Sequence, residues 1–97
     1  MLKRRAKRRY LSIMHAGPGS DAAAAIARRC SELFGSVAAE KAAIRLVKSE
    51  GDVTIIKCRL DQLDSVLAAI ALTDPPVAAL DMSGSMKQLK RRHQGLS

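Results

Sequence analysis

The 97-residue chain predicts an α+β sandwich, a layer of helices on a four-stranded antiparallel sheet. Three observations predict it: two stretches with helical spacing of apolar residues, four short stretches suited to strands, and an order in which each helix lies between two strands. A chain of this length supports one core, so residues 1–97 are expected to form a single domain.

The first strand is expected over residues 9–15, where Leu11 and Ile13 alternate with Tyr10, Ser12 and Met14. Ala16-Gly17-Pro18-Gly19-Ser20 breaks it, and Ser20 or Asp21 is placed to cap a helix over residues 22–34. Ala22, Ala23, Ile26, Cys30, Leu33 and Phe34 share one stripe of that helix, and Gly35 supplies a left-handed stop. After a short connection, residues 43–48 predict a strand with Ile44 and Leu46 on one face and Arg45 and Val47 on the other. Ser49-Glu50-Gly51-Asp52 joins it as a hairpin to a strand over residues 53–60, with Ile56 and Cys58 toward the core and Lys57 and Arg59 away from it.

Asp61 then opens a second helix in which Leu63, Val66, Leu67, Ile70 and Ala71 recur at helical spacing. Asp74-Pro75-Pro76 ends it, because proline cannot continue a helix and pushes its predecessor toward extended backbone. Residues 77–82 form the fourth strand. Met86, Leu89 and His93, among lysines and arginines, predict a basic terminal helix over residues 85–93, capped by Ser83 or Ser85. Two split βαβ units in this order give a ferredoxin-like βαββαβ sandwich, similar to that of RNA-recognition modules, with an extra C-terminal helix. Its strand order, 4-1-3-2, places the start of the first strand beside the ends of the third and fourth.

The formal charge of +8 is concentrated at the ends of the chain. Lys3, Arg4, Arg5, Lys7, Arg8 and Arg9 form a basic N-terminal segment, and Lys87, Lys90, Arg91 and Arg92 follow the last strand. Between them, residues 10–86 carry seven basic residues against all nine acidic ones, so the body has a slight acidic excess. The topology predicts that both ends converge with Lys57 and Arg59 on one edge. Such a patch neutralises phosphates and releases their counterions, which points to nucleic acid. The expected phosphate contacts are Arg4, Arg5, Lys7, Arg8, Arg9, Lys57, Arg59, Lys87, Lys90, Arg91 and Arg92.

Tyr10 and Phe34 are the only aromatic residues, and only Tyr10 falls on a central strand. Stacking of bases across the sheet is therefore not expected. The open face is suited instead to a cover, from the terminal helix or a protein partner, with Val47, Val53 and Ile55 as its apolar anchors. Cys30 and Cys58 lack metal-ligand or redox spacing and are expected in the core. Gly17-Pro18-Gly19-Ser20 lacks the lysine of a phosphate-binding loop, and His15 has only Asp21 near it as an acid–base partner. No catalytic residue and no bound metal or cofactor is assigned. No apolar run is long enough to span a membrane, and a cytoplasmic protein is expected.

Arg8-Arg9-Tyr10-Leu11, Leu33-Phe34-Gly35, Ile55-Ile56-Lys57-Cys58-Arg59 and Ser83-Gly84-Ser85-Met86-Lys87 resemble, in order and spacing, the recurring blocks of the archaeal and eukaryotic Pop-five-type proteins. Ser85 stands where that family usually has threonine, and the loop after His15 is shorter than in many members. The resemblance implies a non-catalytic subunit of ribonuclease P, the ribonucleoprotein endoribonuclease that removes the 5′ leader of precursor tRNA. It implies ribonuclease P RNA and precursor tRNA as partners, magnesium held by the RNA, and a TIM-barrel-like protein subunit joined in a two-by-two assembly. From the residues alone, a protein-assembly adaptor and a small-ligand regulatory domain on the same fold remain open.

Overall fold

The computed structural model describes residues 7–85. The elements run β1 (Arg8–Met14), α1 (Gly19–Phe34), α2 (Ser36–Ala42), β2 (Arg45–Glu50), β3 (Val53–Arg59), a 3₁₀ turn (Leu60–Gln62), α3 (Leu63–Ala71) and β4 (Ala78–Ser83). The sheet order is β2-β3-β1-β4, the predicted 4-1-3-2, and every neighbouring pair is antiparallel. The ferredoxin-like α+β sandwich is therefore formed. The terminal helix expected over residues 85–93 lies, beyond Ser85, outside the described residues, as do residues 1–6 of the basic N-terminal segment.

Alternation along the strands sends one set of side chains to the helices. Leu11 and Ile13 of β1 and Ile56 and Cys58 of β3 pack against Ala22, Ile26 and Cys30 of α1 and Val66, Ala69 and Ile70 of α3. Each large aliphatic side chain sealed here contributes about 1.5–3 kcal/mol. Alanines on α1 let it approach the sheet closely, which is how a core with no aromatic residue is closed. Cys30 and Cys58 are buried free thiols, as the sequence predicts. Among the described residues no helix is long and apolar enough to cross a membrane.

The boundaries depart from the sequence reading in ways with physical causes. α1 begins at Gly19, three residues early, because the Pro18 carbonyl accepts the amides of Asp21 and Ala22 at 3.1 and 3.2 Å. Ser20 and Asp21 thus lie within the first turn and no side chain caps it; Asp21 acts there through its charge on the helix dipole. Gly35, at φ 91°, stops α1 as expected, its amide donating to the Ser31 carbonyl at 2.8 Å. The stretch that follows is not a plain connection. Its alanines form α2, with Ala42 fully buried, and this second short helix closes the core over the end of the sheet. Asp61 opens only the 3₁₀ turn, and α3 starts at Leu63.

Gly19 is required by close approach. A Cβ there would collide with Ser49 Oγ and Thr54 Oγ1, which face the first turn of α1 from the β2–β3 hairpin. Gly19→Ala is expected to cost about 1–3 kcal/mol, read as a lower urea midpoint with an unchanged slope. A second expectation concerns pH. Burial pushes the Cys58 thiol up to about 11 from its ordinary 9.0, and nearby Cys30 adds to the rise. The folded form holds this proton more tightly than the unfolded chain. Its stability contribution is therefore complete below pH 9 and is lost as pH rises toward 11. Urea midpoints measured between pH 8 and about 10.5 should fall, and Cys58→Ala should flatten that decline.

Candidate nucleic-acid interface

The register of β1 with β3 decides which cations meet. Leu11 lies opposite Ile56 on the helix side, so by alternation Arg8 opposite Arg59 and Tyr10 opposite Lys57 stand on the other face. β2 adds Arg45 opposite Lys57, and β4 adds Ser83 opposite Tyr10. Arg8, Arg59, Lys57 and Arg45 thus occupy neighbouring positions at one end of the open face. Two cross-strand pairs, Arg8 with Arg59 and Arg45 with Lys57, place like charges directly opposite, an arrangement that is unfavourable by itself.

Local bonds offset only part of this repulsion. Arg59 Nη2 pairs with Asp61 Oδ2 at 2.9 Å on an exposed surface, which contributes little in water. Arg59 Nε is buried with no acceptor, leaving a directed donor unused. Arg45 Nη1 donates to the Ile44 carbonyl at 2.9 Å. Arg9 belongs to the helix-side register, opposite Cys58, and its guanidinium lies 3.0 Å from where a Cβ on Gly84 would stand. Lys7 is exposed beside them, and its carbonyl accepts the Leu60 amide at 2.8 Å, tying the approach to β1 to the end of β3.

Of the residues expected to contact phosphate, Lys7, Arg8, Arg9, Lys57 and Arg59 are therefore gathered at one end of the sheet. Arg4, Arg5, Lys87, Lys90, Arg91 and Arg92 lie outside the described residues. Arg45 was missed. Its signal was present in the sequence, since alternation already placed it opposite the side of Ile44, but only pairing with Lys57 makes it part of the group. Lys48 also reaches the open face, opposite Ile55, through a bulge at Val47; it pairs with Glu50 at 3.2 Å.

That bulge separates the three apolar anchors. Val53 and Ile55 share the open face, whereas Val47 is the extra residue between Leu46 and Lys48 and is matched by no residue of β3. A second apolar surface went unrecognised in the sequence. Leu33 and Phe34 at the end of α1 and Val37 at the start of α2 are exposed, although helical spacing placed the first two on the core stripe. Gly35 turns the chain before that stripe is covered.

The opposite end of the sheet has different chemistry. Glu50, Asp52, Asp21 and Asp74 flank it, in the β2–β3 turn, the first turn of α1 and the approach to β4. His15 is buried there, with Nδ1 3.1 Å from the Gly17 carbonyl and Nε2 2.6 Å from Thr54 Oγ1. The carbonyl can only accept, so Nδ1 carries the proton, and in the neutral ring Nε2 accepts from Thr54, which in turn accepts from Ser49 at 2.9 Å. Both ring nitrogens are occupied by structural partners, leaving none for acid–base chemistry on a ligand. A cavity of about 550 Å³ beside it is lined by Pro18, Asp21, Arg28 and Pro75 among others, without a nucleophile.

No protein-family model and no curated protein sequence matches the chain. Among solved structures it is similar to a chain in the cryo-EM structure of yeast ribonuclease MRP, with a TM-score of 0.62. The likeness covers 97% of this chain and 96% of that one at 12% sequence identity, which shows a shared fold along the whole chain.

Proposed function

We propose that this chain is a non-catalytic protein subunit of a ribonuclease P- or MRP-type ribonucleoprotein and that it grips RNA through the cationic end of its sheet. The observation that carries the reading is the pair of opposed like charges, Arg8 with Arg59 and Arg45 with Lys57. Four cations held this close are relieved by a polyanion whose phosphates are closely spaced, and each contact releases counterions. The full-length likeness to a chain of the ribonuclease MRP structure supports the same reading from the fold.

Within that reading, the resemblance to Pop-five-type proteins narrows the role to ribonuclease P. The RNA partners would be ribonuclease P RNA and precursor tRNA, with the RNA providing the catalytic centre and holding magnesium. The protein partner would be the TIM-barrel-like subunit, in a two-by-two assembly, and the setting the cytoplasm. This chain contributes positioning: a backbone grip fixes RNA geometry without reading bases, in keeping with a single aromatic residue, Tyr10, on the open face.

The experiment is leader cleavage by the reconstituted particle with and without this chain, alongside RNA binding across a salt series. Replacing Arg8, Arg45, Lys57 and Arg59 by glutamine should weaken RNA binding, flatten the log–log salt dependence by about 2–4, and remove stimulation of cleavage. Unchanged affinity and slope, with the fold intact by circular dichroism, would reject the assignment in favour of an assembly adaptor.

A further inference from the structure

The first half of α1 does not close against the segment that leads into β4. A cavity of about 550 Å³ lies between them, and each of its walls is anchored. On the segment's side, Thr73 Oγ1 donates to the Ala69 carbonyl at 2.5 Å and the Thr73 amide to the Ile70 carbonyl at 3.3 Å. These bonds hold the approach to Pro75 and Pro76 against the end of α3, and Val77 beyond them packs on the core. At the mouth, the Gly17 carbonyl accepts from His15 Nδ1, and the Pro18 carbonyl accepts the amides of Asp21 and Ala22. The space is thus preformed, and its size falls in the range of sites that take a small ligand or a short piece of chain.

Methyl groups and proline rings make up most of the lining: Ala22, Ala24 and Ala25 on α1 face Pro75 and Pro76. It holds no hydroxyl and no side-chain amide, and both nitrogens of the His15 ring are already bonded. Charge enters at two points, Asp21 and Arg28. They are seven residues apart on α1, so they stand on one face of the helix, about 10.5 Å apart along its axis. Both are exposed, and neither side chain is ion-paired or hydrogen-bonded to another described residue.

The chemistry of the occupant follows. Nucleic acid is disfavoured at this end of the sheet, where Asp21, Asp52 and Asp74 supply carboxylates, and the lining holds no tyrosine, phenylalanine or tryptophan on which a base could stack. A free α-amino acid is too short to bring its ammonium to Asp21 and its carboxylate to Arg28. A chain in polyproline II conformation rises about 3.1 Å per residue with three residues per turn, so residues three apart share a side at a separation of about 9.3 Å. We propose that the groove between α1 and residues 74–77 binds a short, apolar polyproline II segment of a protein partner. A basic side chain of that segment lies against Asp21, and an acidic one three residues away lies against Arg28. The groove is at the end of the sheet opposite Arg8 and Arg59, so its occupation leaves the cationic end open. The docking does not rest on the RNA reading.

The test titrates the full chain with the capped peptide lysine-proline-leucine-glutamate and follows amide resonances. Ala24, Ala25, Arg28 and Val77 should shift and saturate by about 5 mM peptide, while Lys57 and Arg59 stay in place. Replacing the peptide's glutamate by glutamine should weaken binding by about 1.5- to fivefold, the loss of one exposed ion pair. Arg28→Glu should reverse the preference, so that a peptide with lysine at both ends binds better than the original. Arg28 is exposed, and the amide spectrum of the variant checks that the fold is kept. The proposal is overturned if no groove resonance moves, if charged and neutral peptides bind alike, or if Arg28→Glu leaves the order of preference unchanged. RNA binding by the same chain bears on the RNA reading alone.

Discussion

β1 is hydrogen-bonded on both sides, to β3 and to β4, and the register of these two ladders settles almost everything else in the molecule. Leu11 aligned with Ile56 sends the apolar set toward the helices. The same alignment sets Arg8 against Arg59, because side chains alternate strictly and no choice remains for the intervening residues. A slip of one residue would bury arginines and expose isoleucines, at a cost far beyond the stability of a domain this small. Core and cationic surface are two faces of one constraint.

Within that constraint the two ends of the sheet have been given opposite characters. At the hairpin end, Gly19 lets the first turn of α1 settle onto Ser49 and Thr54, and His15 completes a closed set of hydrogen bonds beneath the loop. Polar groups there satisfy one another, with carboxylates around the rim. At the other end, cations repel across the strands and a buried guanidinium N–H has no acceptor. The hydrogen bonding of one end is complete in itself, whereas the other leaves like charges opposed and a buried donor without an acceptor.

Both edges of the sheet carry a bulge, at Val47 in β2 and at Leu80 in β4. Each inserts one residue that the pairing strand does not match, and the alternation resumes on the opposite parity. On β2 this moves Lys48 to the open face and leaves Val47 outside the pairing. Bulges of this kind also discourage edge-to-edge pairing with other chains.

The element order, the 4-1-3-2 arrangement, the aliphatic core and the meeting of Lys57 and Arg59 with the start of β1 were legible in the sequence, because they follow from period-two and helical spacing joined to a short list of allowed connections. α2 was not. Its residues, Ser36–Ala42, have too few apolar positions to declare a face, and it became a helix because Gly35 turned the chain and Ala42 found a place in the core. Arg45 and Val47 show the same division: alternation assigned both to one face, and the bulge kept the first there and removed the second. By itself the sequence determined which residues are apolar, which are charged and how far apart they lie along the chain. The tertiary structure alone decided which charges became neighbours across strands and which alanines and prolines face one another across the groove beside His15. Those outcomes depend on register and on contacts between distant segments, and no local spacing encodes them.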